Sequence, residues 1–270
     1  MIFFPNAKIN LGLNILGKRK DGYHDISSLF YPIRLSDVLE VIEARKFSFS
    51  SSGINIPGKE GDNLVIRAYQ LLKKDFALPD VSIHLHKSIP TGAGLGGGST
   101  DGAYMLKMMN SMFELFLDDS ILEDYALQLG SDCPFFIRNE TMLASGRGDE
   151  LEKFLLDLKG YYLYLVKPDS AISTREAYQL IRPGIPEKDI KTILQDQSPA
   201  AWRGSLKNDF ETAFFEKLPD CSDIKEKMYE KDALYASMTG SGSAFFGIFE
   251  KKPDMQGVFP PPYFTWEETL

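Results

Sequence analysis

Five glycines fall within seven positions, at Gly92, Gly94, Gly96, Gly97 and Gly98, inside the stretch Pro90-Thr91-Gly92-Ala93-Gly94-Leu95-Gly96-Gly97-Gly98-Ser99-Thr100-Asp101. No other part of the chain narrows the choice of fold as far. Glycine reaches positive φ and leaves no Cβ between the backbone and a ligand. Before the stretch, Val81, Ile83 and Leu85 alternate with Ser82, His84 and His86, the period of a strand. After it, Met105, Met109, Met112 and Phe116 recur at helical spacing and predict a helix from about Ser99. Strand, glycine turn and helix together gather backbone N–H groups and the positive end of a helix dipole around one point. That is an anion site, most naturally for phosphate. A mobile linker would need neither flanking element.

Several phosphate loops compete for this pattern. Gly92 to Gly97 satisfies G-x-G-x-x-G, the mark of a dinucleotide fold and hence of an NAD-dependent oxidoreductase. That loop belongs after a buried parallel strand in the first βαβ unit, whereas here the preceding strand alternates with His84 and His86 and eighty residues come before it. The sequence G-x-x-x-x-G-K-[ST] is absent, as are the His-Arg-Asp and Asp-Phe-Gly tripeptides of protein kinases.

Composition limits the remaining classes. Among 270 residues, 30 are Lys or Arg and 38 are Asp or Glu, a formal charge of −8, and 43% are hydrophobic. This is enough to bury a core, which argues against a disordered tail. The acidic balance argues against a sequence-independent nucleic-acid binder. Pro5 and Lys8 interrupt the apolar start too early for a signal peptide, and no run reaches the roughly 18 apolar residues of a membrane span. Cys133 and Cys221 cannot make a disulfide framework and fit a reducing compartment. The expectation is a cytoplasmic protein without membrane or nucleic-acid partners.

The rest of the chain reads as strands and helices in groups. Ile9, Leu11, Leu13 and Ile15 alternate with Asn10, Gly12 and Asn14, predicting a half-buried strand with Lys8, Asn10, Gly12 and Asn14 on one face. Further strands are expected around Leu29–Ile33, Val38–Ile42, Tyr161–Val166, Ala233–Met238 and Ala244–Phe249. Helices are expected from an Asp62 cap through Leu72, over Ile121–Leu129 with Gly130 closing it, and over Thr174–Ile181. The antiparallel-looking strand groups favour an α+β class over a doubly wound sheet. A boundary falls near residues 150–160.

Five motifs, in order and spanning residues 6 to 243, resemble the GHMP small-molecule kinases: Asn6-Ala-Lys8-Ile-Asn10-Leu, Asp21-Gly-Tyr23-His24, Gly94-Leu-Gly-Gly-Gly98-Ser-Thr100, Gly130-Ser-Asp132-Cys-Pro-Phe-Phe136 and Thr239-Gly-Ser-Gly-Ser243. Asp21-Gly-Tyr23-His24 is similar to the branch whose acceptor alcohol carries a cytidine diphosphate, and it argues against kinases of mevalonate, homoserine or sugars. Departures are small: Ser131 for Ala, Cys133 for Val, Thr100 for a second Ser, and Asn6 where Ser or Pro is common. The stretch after Phe249 is short and contains Pro260-Pro-Pro262, where the family's last helix and strand would fall.

The resemblance implies a two-domain α+β fold. An N-terminal ATP-binding α+β domain with a left-handed crossover would cover residues 1–155. A ferredoxin-like α+β domain would cover 156–270, with the active site between them. It implies ATP as phosphoryl donor, Mg²⁺ to shield its charges, a small-molecule substrate, and a monomer or homodimer. Asp132, otherwise a helix-flanking turn residue, becomes the catalytic carboxylate, and Lys8, otherwise a solvated lysine, its charge-stabilising partner. Asn10 would bind substrate. Tyr23 and His24, otherwise surface residues, would hold the cytidine end. Tyr178 reads equally as a second stacking ring or as core packing. Pro90 through Thr100 would bind the nucleotide, with Ser99 and Thr100 on phosphate or Mg²⁺. A non-catalytic nucleotide-binding module is the rival from another class.

Overall fold

The computed structural model describes residues 1–270. Its strands are β1 (Ile2–Phe3), β2 (Asn6–Lys18), β3 (His24–Ser36), β4 (Val38–Glu43), β5 (Ser48–Gly53), β6 (Val81–Lys87), β7 (Met142–Ser145), β8 (Glu150–Lys153), β9 (Tyr162–Lys167), β10 (Tyr235–Met238), β11 (Phe245–Phe249) and β12 (Phe264–Thr269). Its helices are α1 (Leu64–Asp75), α2 (Gly97–Met112), α3 (Asp119–Leu129), α4 (Cys133–Arg138), α5 (Thr174–Leu180), α6 (Ile190–Asp196), α7 (Phe210–Lys217) and α8 (Ile224–Tyr229). Three four-stranded sheets run β1-β4-β6-β5, β2-β3-β7-β8 and β10-β11-β9-β12. The pairs β1–β4, β4–β6, β3–β7, β7–β8, β10–β11, β11–β9 and β12–β9 are antiparallel, and β5–β6 is a parallel pair whose connection contains α1. This is an α+β architecture.

The chain forms two compact units, each discontinuous in sequence. One holds Met1–Ala7, Arg34–Thr91 and Gly96–Glu140; the other holds Lys8–Ile33, Gly92–Leu95 and Thr141–Leu270.

In the first unit, Leu39 and Val41 of β4 and Val81, Ile83 and Leu85 of β6 are fully buried. The opposite face of β6 is polar. There His84 lies within hydrogen-bond distance of Ser50 and Ser52, and His86 of Ser52. Helix α1 begins one residue later than Asp62 predicts. Asn63 is the cap, its side chain accepting from Val65 N, and Asp62 closes a 3₁₀ turn. Helix α2 begins at Gly97, two residues before the expected start, and ends at Met112. Glu114 and Phe116 then take positive φ of 49° and 54°, which leaves Phe116 exposed rather than on the helical stripe. Gly130 follows α3, but at φ 171° it is extended, not left-handed.

In the second unit, β2 departs from the half-buried expectation. Residues Ala7 to Ile15 are buried on both faces. The polar members of its alternation are inside because they are bonded there: Asn14 Nδ2 donates to Asp209, and the Gly12 carbonyl accepts from Ser28 Oγ. Helices α5, α7 and α8 contribute Ala177, Phe210, Phe214, Ile224 and Met228 to a core with Val166, Phe245 and Phe249 of the β10-β11-β9-β12 sheet. No helix follows Phe249. The final strand forms nonetheless, with β12 pairing along β9 from Phe264 opposite Lys167 to Thr269 opposite Tyr162.

Candidate active site

The glycine stretch is left-handed at alternate residues, with φ of 62°, 75° and 73° at Gly92, Gly94 and Gly96. A Cβ on Gly94 would stand 2.0 Å from the carbonyl oxygen of Thr239, and one on Gly240 would stand 2.8 Å from Gly94 Cα. The segment Gly92–Leu95 therefore meets the late Thr239–Ser243 loop backbone to backbone. Its carbonyls at Ala93, Gly94 and Leu95 are used by protein. Ala244 N donates to Ala93 O at 3.1 Å, Thr239 Oγ1 to Gly94 O at 3.2 Å and Lys8 N to Leu95 O at 3.0 Å. The side chains of Ala93 and Leu95 are buried, so only backbone from these two positions is open to a ligand.

At Gly96 the chain enters α2 with no capping side chain and no acid in the first turn. The helix thus presents unpaired N–H groups and its positive dipole end. Ser99 bonds to the Cys133 thiol, whose burial pushes its pKa up to about 12 against the opposing effect of that bond. Thr100 Oγ1 is buried without a hydrogen-bond partner. Beside these residues the first unit carries a cleft of about 320 Å³ lined by Phe49, Ile56, Leu64, Lys87, Thr91 and Gly98. Asp132 immediately precedes α4 at φ −81° and ψ −13°. It flanks the helix, yet its side chain makes no capping bond there.

Lys8 is not a solvated lysine. It is 3% exposed, donates to Asn10 Oδ1 and lies 4.7 Å from the centre of the Phe30 ring. Asn10 Oδ1 also accepts from Gly240 N at 2.9 Å and Thr239 Oγ1 at 3.1 Å, while its Nδ2 donates to Ser28 Oγ at 2.8 Å. The asparagine fixes the ammonium and ties β2 to the Thr239–Ser243 loop, and its acceptor capacity is spent on protein. What remains for a substrate is one amide N–H.

A third cluster lies at the start of β3. Tyr23 is 55% exposed, and the Arg147 guanidinium, held by Asp149 at 2.9 Å, sits 5.1 Å from its ring centre. His24 stacks on Tyr178 with centroids 5.0 Å apart and planes 26° apart. Tyr178 meets Phe210 edge to face at 4.9 Å. Burial, with the charge of Lys18, lowers the His24 pKa. Tyr178 thus packs on the core and also shows a face to His24.

Sequence reasoning missed one feature outright. Lys87, Asp37 and Asp101 form a buried ion cluster against the cleft, with Lys87 Nζ on Asp37 Oδ2 and 2.6 Å from Asp101 Oδ2. The two aspartates lie 50 and 14 residues from the lysine, and all three look like ordinary surface charges in the sequence.

The family model of the GHMP kinases N terminal domain matches residues 63–140, and that of the GHMP kinases C terminal region matches 182–259. The chain belongs to the GHMP kinases. Within that family it is 49% identical over 268 residues to a 4-diphosphocytidyl-2-C-methyl-D-erythritol kinase of Bacteroides fragilis, covering 96% of this chain and 97% of the relative. A protein of the same name from Parabacteroides distasonis is 47% identical over 272 residues, covering 100% of both. A crystal structure of 4-(cytidine 5'-diphospho)-2C-methyl-D-erythritol kinase superposes with TM-score 0.78 at 31% identity, over 92% of this chain and 90% of the other. A mevalonate kinase crystal structure shares the fold at TM-score 0.70 and 13% identity, over 99% and 98% of the two chains. No helix is long and apolar enough to cross a membrane.

Proposed function

We propose that this chain transfers the γ-phosphoryl group of ATP to the 2-hydroxyl of 4-diphosphocytidyl-2-C-methyl-D-erythritol. The products are the 2-phosphate and ADP, and the step belongs to the non-mevalonate route to isoprenoid precursors. The observation that carries the reading is the buried, bonded ammonium of Lys8 on a segment whose own amide pairs with Leu95 of the glycine stretch. A fixed ammonium that little water screens stabilises a nearby anion strongly, and a phosphoryl group in transfer is one. Near-50% identity along the full length to kinases of that name supports the choice of acceptor.

In this reading residues 1–155 bind the nucleotide and residues 156–270 complete the kinase. The triphosphate lies along the backbone of Pro90–Thr100 and the first turn of α2, and the nucleoside occupies the cleft walled by Phe49, Ile56 and Leu64. Asp132 takes the proton of the 2-hydroxyl as its oxygen bonds to the γ-phosphorus and the bond to the β-phosphate oxygen breaks. Lys8 neutralises the charge that develops on the transferring group. Tyr23 and Tyr178 offer aromatic faces to the cytosine, His24 reads its polar edge, and Asn10 gives its remaining N–H to the substrate. Mg²⁺ fits the donors present. The unpartnered Thr100 hydroxyl, Ser99 and the single carboxylate of Asp132 suit an ion held mainly by phosphate oxygens and water rather than in a protein cage. It would shield the phosphates.

The test is a phosphorylation assay with ATP and a panel of alcohols. Turnover of the cytidine diphosphate compound, with mevalonate, homoserine and sugars inert, is the expected result. Turnover of mevalonate alone would reject the acceptor, and no turnover of any alcohol despite ATP binding would favour a non-catalytic nucleotide module.

A further inference from the structure

Resting on the kinase reading only for where the nucleotide lies, we propose that the Lys87–Asp37–Asp101 cluster is a positioning device for the nucleotide. It holds the entry to the glycine stretch and the first turns of α2 in register.

Three separate segments converge on one ammonium. Lys87 is the last residue of β6 and is buried. Asp37 lies at the junction between β3 and β4, fully buried, and pairs with the ammonium through Oδ2. Its other oxygen accepts from Ser88 N at 2.6 Å and Ile89 N at 2.9 Å, the backbone that leads directly into Pro90. Asp101, in the second turn of α2, pairs with Lys87 at 2.6 Å. The first residue of α2 rests on the cluster, since a Cβ on Gly97 would meet Ile89 at 3.0 Å and Lys87 Nζ at 3.4 Å. Both ends of the proposed phosphate-binding backbone are thereby anchored to the same charge.

Stability does not explain the arrangement. Burying an ion group costs desolvation that its internal attraction often only repays, and apolar residues of matched volume can serve as well. The cluster also keeps a group unused: Asp101 Oδ1 is buried without a hydrogen-bond partner, on a residue that lines the cleft together with Lys87, Thr91 and Gly98. An Asn side chain at 101 keeps the shape of the carboxyl and an oxygen that accepts from Lys87 Nζ, so Asp101→Asn should serve almost as well.

The experiment measures binding of a non-hydrolysable ATP analogue by calorimetry, together with KM for the acceptor. The triple variant Lys87→Met, Asp37→Asn, Asp101→Leu leaves no buried charge. It is expected to fold, to bind the analogue at least 10-fold more weakly, and to keep its KM for the acceptor. Asp101→Asn is expected to stay within threefold of the parent on both. Should the triple variant not fold, Asp101→Ser keeps the Lys87–Asp37 pair and frees only α2; it is expected to weaken analogue binding at least fivefold. A folded triple or Ser variant that binds the analogue like the parent overturns the proposal, as does an Asn variant as weak as the triple. A parent that binds no adenine nucleotide overturns the kinase reading and this proposal with it.

Discussion

The backbone of Gly94 lies so close to Thr239 that a single added carbon would stand 2.0 Å from its carbonyl oxygen. Gly94 is also left-handed, at φ 75°. Gly92, two residues earlier, shares the left-handed φ at 62°, but a methyl group added there would find nothing within 4 Å. The two sites therefore separate steric approach from conformational strain. Gly92→Ala should cost about 1 kcal/mol of strain and less than 10-fold in activity. Gly94→Ala should lose at least 100-fold in activity and melt several degrees lower, because neither backbone can yield. Equal effects at both sites would show that the close approach is unimportant.

Lys8 and Asp132 are predicted to act on the chemical step. Lys8→Met and Asp132→Asn should each lower kcat by roughly 10² to 10⁴ while KM for ATP stays within about threefold. The double variant should be little worse than either single one, since groups that act together are not additive. Steady-state kinetics decides: a rise in KM for ATP at unchanged kcat would assign them to binding instead.

The His24–Tyr178 stack, at 5.0 Å between centroids, has no room for a pyrimidine between its rings. The base must lie beside the pair or displace His24. In either case Tyr178→Ala removes an aromatic face worth roughly 0.5–1.5 kcal/mol and should raise KM for the cytidine substrate about 3- to 10-fold, with KM for ATP unchanged. If both KM values rise together, Tyr178 is core packing alone.

Cys133 gives a pH-dependent prediction. Its pKa is raised from an ordinary 9.0 to about 12 by burial. Below pH 9 the thiol is protonated in both states and stability is unaffected. Between pH 9 and 12 the unfolded chain gains by ionising and the folded chain does not, so stability falls. Denaturant titrations at about pH 8 and about pH 11 should show a smaller alkaline loss for Cys133→Val than for the parent. The native thiol should also resist alkylation at mildly alkaline pH until the chain unfolds.

What could be read from the sequence was whatever leaves a local signature. The glycine stretch demanded positive φ, and the alternation in β6 and the helical stripe on α2 placed it between a strand and a helix. Boundaries slipped where neighbours share a chemistry. Asp62 and Asn63 are both good caps, and only the fold selects Asn63. Phe116 continued the helical spacing on paper, yet the chain turns left-handed at Glu114. Strands β5 and β8 are polar or charged, Ser48–Gly53 and Glu150–Lys153, and stand in sheets through backbone pairing that composition does not reveal. The Asn10 hub joins residues 229 and 230 apart, and the Lys87 cluster joins a lysine to an aspartate 50 residues away. Long-range polar convergence of this kind has no periodicity, so the motif at Lys8 and Asn10 could be recognised only by resemblance, and the cluster not at all.

A crystal structure of the chain with a non-hydrolysable ATP analogue and 4-diphosphocytidyl-2-C-methyl-D-erythritol would probe the phosphoryl-transfer geometry without intermediaries. The terminal phosphate should lie at the first turn of α2, with the acceptor 2-hydroxyl about 3 Å from an Asp132 oxygen and the Lys8 ammonium on the transferring group. A triphosphate bound away from Gly92–Gly98, or a hydroxyl turned away from Asp132, would contradict that arrangement.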